Sequence, residues 1–197
     1  MCQHVGMNEP TQLDPKRARI VAAAANVFCR YGFARTTMGD IAQEAGVSRP
    51  SVYTLYPGKD EIFAAVADAF TDSKLAAIRS GLVGHPTLHD KLLFACTTWS
   101  VDAFENLLAN PDARDMMSLA FPSIRAGYAR FGQLLADILR ESADAQLEGQ
   151  SADELARVIV FSIRGFKDTA QTGAEMENLI EILISAITCP VMDRSVN

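Results

Sequence analysis

Apolar residues recur every three or four positions along most of the chain, and strict alternation is scarce. That pattern predicts helices and no strand. Asp14-Pro15 reads as an N-cap followed by proline at the first helical position, and Ile20, Ala24, Val27, Phe28 and Tyr31 keep helical spacing until Gly32. Thr37 with Asp40 resembles a capping box opening MGDIAQEA, which Gly46 ends. Ser48 caps a short helix to about Tyr56, and Pro57-Gly58 breaks it.

A long helix is expected over 59–79, stopped by Gly81 and Gly84, and another over 87–108, opened by Thr87 with Asp90. Asn110-Pro111 restarts the chain into MMSLAF, and Pro122 interrupts it again. Helices follow over 123–141, 151–170 (with Ser151 and Glu154 as a capping box) and 175–188, the last stopped by Pro190. The expectation is an all-α chain of nine helices, with SADAQLEGQ as a loop. The polar start, 1–13, reads as a flexible arm, 14–58 as a compact first domain, 59–190 as a larger helical domain and 191–197 as a tail.

Charge separates the two domains. Residues 1–60 carry seven Lys/Arg and five Asp/Glu, whereas the rest carries 11 and 19. Only the N-terminal part therefore suits a polyanion. Hydrophobic residues make up 49% of the 197, ample for a core. No apolar run reaches membrane-spanning length, and no basic start precedes an apolar segment, so a cytoplasmic protein without a membrane partner is expected. Cys2, Cys29, Cys96 and Cys189 are far apart and read as buried thiols. His85 and His89 lack a partner set for a metal. No nucleophile elbow, phosphate loop or carboxylate pair stands out, so neither an enzyme nor a cofactor is expected.

Residues 37–56 form a helix, a short turn at Gly46 and a second helix, the helix-turn-helix pattern. Ile41, Ala42, Ala45, Val47 and Val52 can make its small core. The opposite face of the second helix carries Arg49, Ser51, Tyr53 and Thr54. Arginine donates a bidentate pair to guanine, hydroxyls bond base edges or phosphate, and a tyrosine hydroxyl reaches phosphate. Thr36 and Thr37 at one helix start, and Lys59 at another, are candidates for flanking phosphates. Tyr56 is expected in the core.

The run TTMGDIAQEAGVSRPSVYTLYPGKDEIF, with YGFARTT upstream, resembles the DNA-binding signature of the TetR family of transcriptional regulators. The resemblance covers about residues 15–63. It implies a dimer that binds a short palindromic operator and is released by a small molecule in its C-terminal domain. By position it assigns Arg49, Ser51, Tyr53 and Thr54 to recognition and Thr37, Tyr53 and Lys59 to phosphate. Gly39 inside the second helix, Thr54, Leu55 and Tyr56 depart from the usual pattern, which puts the operator sequence in question.

The helix over 87–108 is apolar nearly all round, through Leu92, Cys96, Trp99, Ala103 and Leu107 on one stripe and Phe94, Val101, Phe104 and Leu108 on others. In TetR-like proteins such a helix lines the effector cavity. Phe94, Trp99, Phe104, Met116, Met117, Phe121, Tyr128, Phe131 and Phe161 are the candidate wall, set against a plain-core reading of each. Asp102 and Glu105 read as solvated acids. The last two helices are the candidate dimer face, through Leu155, Ile159, Phe166, Met176, Ile180, Leu183, Ile184 and Ile187, with isologous pairing. The leading expectation is a ligand-responsive, DNA-binding repressor. A ligand-independent architectural DNA-binding protein and a helical enzyme are the alternatives.

Overall fold

The computed structural model describes residues 14–141 and 151–188. The expected arm and tail, the SADAQLEGQ loop, Cys2, Cys189 and Pro190 lie outside the described residues. Among the described residues eight α-helices follow one another: α1 (Pro15–Arg35), α2 (Met38–Glu44), α3 (Arg49–Leu55), α4 (Lys59–Gly81), α5 (Leu88–Ala109), α6 (Pro122–Glu141), α7 (Ala152–Thr169) and α8 (Gly173–Thr188). The ninth expected helix, Pro111–Met117, is 3₁₀, as is a short turn at Leu82–Gly84. Among the described residues there is no strand, and no helix is long and apolar enough to cross a membrane.

The caps form as the sequence predicts. The Asp14 carboxylate accepts from the Lys16 N–H at 3.0 Å. Thr37 and Asp40 make a reciprocal capping box, as do Ser151 and Glu154. The hydrogen bonds from Thr37, the side-chain one foremost, hold the Asp40 carboxyl below its usual pKa. The box therefore persists above that lowered value and is lost as pH falls through it.

Two cores result. The first joins Ile20, Phe28, Ile41, Ala42, Ala45, Val52 and Tyr56 to Ile62, Phe63 and Val66, so the first turns of α4 pack with α1 to α3. Tyr56 is buried, as expected, with the Arg17 guanidinium over its ring at 5.3 Å. The second core runs through α4 to α8 around Leu92, Cys96, Phe131, Leu135, Ile159, Ile163, Met176, Ile180 and Ile184. Cys29 departs from the buried-thiol expectation and is exposed, whereas Cys96 is fully buried and its thiol pKa is pushed up by desolvation.

The two cores meet at one joint. Gly32 takes φ +73° and breaks the helical course of α1. The amides that this break frees are held across the joint. The Asp115 carboxylate accepts from the Phe33 N–H at 2.9 Å and the Ala34 N–H at 2.8 Å. Arg35 pairs with Asp112. Phe121 packs edge-on against Phe33 at 4.7 Å and tilted against Phe63 at 4.4 Å. The 3₁₀ segment thus fastens the N-terminal domain to the body.

Two glycines of α1 and α2 should respond oppositely to alanine. At Gly32 a side chain would strain the left-handed backbone and overlap the Asp112 carbonyl, so Gly32→Ala should destabilise by about 1–2 kcal/mol or more. At Gly39 a Cβ would meet only Thr37 Oγ1, at an ordinary 3.5 Å, so Gly39→Ala should stabilise by about 0.5–1 kcal/mol. Urea unfolding of the two variants checks both signs.

Candidate functional site

The helix-turn-helix is α2, a turn at Gly46 (φ +61°) and α3. Val52 is fully buried and Leu55 is half-buried, which fixes which side of α3 faces inward. The outward side presents Arg49, Pro50, Tyr53 and Thr54, with Ser51 at its edge. Tyr53 keeps 42% of its surface exposed. Arg49 donates to the Tyr53 hydroxyl at 3.3 Å and lies over its ring at 5.7 Å, so the pair is held as a unit. Thr54 donates to the Pro50 carbonyl at 3.0 Å, and Ser51 accepts from Ser48 at 3.0 Å. Thr37 is exposed at the start of α2. Pro50, at the centre of this face, was not among the sequence candidates.

Two expected phosphate contacts are corrected. Thr36 is buried, and its hydroxyl donates to the Gly32 carbonyl at 2.7 Å, so it supports the α1 break. Lys59 directs its ammonium inward, to the carbonyls of Phe33 at 2.7 Å, Thr36 at 2.9 Å and Ala34 at 3.3 Å. It also lies 4.3 Å from the centre of the Phe33 ring. Its three protons cap the carbonyl end of α1, where a cation is favoured. The basic residue that looked like a backbone clamp is a second fastener of the joint.

A cavity of about 160 Å³ lies between the joint and the body. Its cause is a set of small residues facing one space: Ala67, Thr71, Ala103, Ala113 and Gly127. Large side chains hold that space open. Trp99 stacks flat on Phe131 with ring centres 4.4 Å apart, and Tyr128 stands edge-on to Trp99 at 6.1 Å. Of the nine expected wall residues, Trp99, Met116, Met117 and Tyr128 line the cavity.

The other five are corrected. Phe94 stacks on His85 at 4.3 Å, over Gly81. Phe104 is core, and Phe131 lies behind Trp99. Phe121 belongs to the joint. Phe161 points outward, 56% exposed, with Arg157 over its ring. Helical spacing selects large apolar residues but does not say which of them close-pack, and that is what separates wall from core. The wall also includes Cys29, Phe63, Phe70 and Lys167, which spacing gave no reason to group.

The dimer-face candidates divide as well. Leu155, Ile159, Met176, Ile180 and Ile184 are buried within the chain's own core and cannot meet a partner. Phe166, Leu183 and Ile187 are half-buried against that core. The apolar side chains left outward on these helices are Val158 (50% exposed), Phe161 and Ile182 (58%). Asp102 pairs with Lys74 at 2.9 Å, and among the described residues no group of His, Cys, Asp and Glu could hold a metal.

Residues 20–66 match the family profile described as bacterial regulatory proteins, tetR family, over the same helices that carry this face. The match is confined to this N-terminal segment, which is therefore similar to the DNA-binding part of that family. YfiR of Bacillus subtilis, an uncharacterised helix-turn-helix transcriptional regulator, is 39% identical to this chain over 62 residues, 32% of the chain and 30% of YfiR. The matched stretch spans about three tenths of the first curated relatives' own length. YdgC of Bacillus subtilis, also uncharacterised, is 27% identical over 180 residues, 83% of this chain and 90% of YdgC. The fold resembles that of the transcriptional regulator FadR from Bacillus subtilis, solved in complex with stearoyl-CoA. The TM-score is 0.64 at 17% identity, covering 86% of this chain and 98% of that one. YfiR, YdgC and FadR are each named as transcriptional regulators.

Replacing Lys59 by methionine tests the corrected role. The loss of three charge-assisted bonds to carbonyls should cost about 1–3 kcal/mol, read as an earlier urea midpoint. A purely phosphate-binding lysine would leave that midpoint unchanged.

Proposed function

We propose that this chain is a ligand-responsive, DNA-binding transcriptional regulator of the cytoplasm. It acts as a repressor and is released from a palindromic operator by a small, largely apolar molecule. One observation carries the reading. The 3₁₀ segment supplies Ala113, Met116 and Met117 to the cavity wall, and Asp115 of the same segment holds Phe33 and Ala34 of the DNA-binding domain. A molecule entering the cavity presses on the element that sets the pose of α1, and through it of α2 and α3. If the displaced pose binds the ligand better, operator affinity falls by linkage. An open cavity with this connection favours the ligand-responsive reading over the architectural one. That FadR of the same fold was solved with stearoyl-CoA is consistent with an amphipathic ligand on this scaffold.

In this reading Arg49, Tyr53 and Thr54 meet the major groove, with Ser51 at the edge and Thr37 on a flanking phosphate. Two such helices are needed for a palindrome, so the chain pairs with a second copy. The surface for that pairing is the outward side of α7 and α8, around Val158, Phe161 and Ile182, because these are the apolar side chains those helices leave in water.

Arg49→Ala combined with Tyr53→Ala should abolish operator binding in a gel-shift assay while the protein remains folded. Undiminished binding would sink the recognition face. For the dimer, Phe161→Glu and Ile182→Glu should sediment as folded monomers, whereas Ile184→Glu should fail to fold because Ile184 is fully buried.

A further inference from the structure

One buried stripe of α7 runs Leu155, Ile159, Ile163, each four residues apart and each in the core. The next member of that series is Lys167, half-buried where the stripe reaches the cavity. A lysine in the position of a core residue needs a reason, since a desolvated charge without a partner is costly. Lys167 lines the cavity beside Trp99, Met116, Met117 and Tyr128, and its ammonium lies 5.8 Å from the centre of the Tyr128 ring. Among the described residues no carboxylate pairs with it.

The neighbouring charges make matters worse for an isolated cation. Arg164 sits over the same Tyr128 ring at 5.4 Å, and Lys74 of α4 is the other nearby cation, already matched to Asp102. Burial first, then Arg164 and Lys74, lower the Lys167 pKa to about 8. The cavity's other titratable groups stay neutral there: burial pushes up the Tyr128 phenol, with Asp168 adding to the rise, and the partial desolvation of the otherwise exposed Cys29 pushes up its thiol. The remaining polar linings are occupied or small. Asn106 donates to the Asp102 carbonyl at 2.8 Å, and Thr71 faces Gly127 closely enough that a Cβ there would meet its hydroxyl at 2.8 Å.

We propose that the cavity takes an apolar molecule bearing one carboxylate, and that Lys167 receives the carboxylate while the Trp99 and Met116–Met117 side accepts the hydrocarbon. The proposal rests on the reading of the cavity as the effector site and names the ligand's chemical class. An amine of the same shape is repelled by Lys167 and Arg164, and a neutral molecule leaves the ammonium without a counter-charge. A cavity of about 160 Å³ is close to the size that holds one benzene-like apolar group, about 150 Å³, so a short acyl chain or a single ring fits.

Trp99 is the chain's single tryptophan and stands in the cavity wall, so its fluorescence reports occupancy directly. The full chain is titrated with octanoic acid and with octanol at neutral pH. The acid should bind about tenfold or more tighter than the alcohol, the worth of one buried charge-assisted contact. Lys167→Met should erase that gap by weakening the acid and leaving the alcohol unchanged. This variant removes a partly desolvated cation without a carboxylate partner and so is expected to fold at least as well as the natural chain. In the natural chain the acid's affinity should also fall as pH rises through about 8, where free Lys167 loses its proton. Equal affinities for acid and alcohol, or a gap that survives Lys167→Met, would overturn the carboxylate assignment while leaving the effector cavity standing. Binding of neither probe would overturn both.

Discussion

The rest of the molecule depends on how two backbone amides are held. Gly32 turns the end of α1 away from its helical course, and Asp115 takes the amides of Phe33 and Ala34. Lys59 takes the carbonyls on the other side of the same turn. Buried backbone groups must find partners, so a chain break of this kind persists only where side chains supply them. Here the donors and acceptors come from separate elements. The pose of the DNA-binding helices is therefore tied to the 3₁₀ segment as firmly as to α4.

That tie gives the cavity its meaning. A void among small residues is ordinary in a helical bundle, and by itself it would be a packing defect. This one has the joint as part of its wall. Met116 and Met117 face it while Asp115, their neighbour in the chain, holds the N-terminal domain. A long first helix of the body, α4, is the more obvious lever, since it starts at the DNA-binding domain and ends in the core. The 3₁₀ segment is shorter, rests on fewer internal hydrogen bonds and stands between the two cores. It both lines the cavity and holds the amides of Phe33 and Ala34.

Much of the DNA-binding part was legible because its signals are local. Asp14, Thr37, Ser48 and Ser151 cap the helices they precede, since an N-cap needs only a hydroxyl or carboxylate and the amides two or three residues on. Val52 inward and Arg49, Tyr53 and Thr54 outward follow from the period of a single helix. The larger domain was less legible. Helical periodicity marked Leu155, Ile159, Met176, Ile180 and Ile184 as apolar, but an apolar stripe looks the same whether it meets its own core or a second chain. The stripe also carried an unread signal, the lysine that continues Leu155, Ile159 and Ile163.

The sequence alone determined the helices, their caps, the turn at Gly46 and the composition of the outward face of α3, because these depend on residues within a few positions of one another. Tertiary structure decided the rest. It turned Lys59 and Thr36 inward, because the freed carbonyls of α1 lie where their side chains end. It separated four wall residues from five that close-pack elsewhere, because a cavity is defined by what fails to fill it. It set Lys167 beside Trp99 and Tyr128 by bringing α5, α6 and α7 to one space. Contacts between residues far apart in the chain are fixed by the packing of whole helices, and no short-range pattern encodes them.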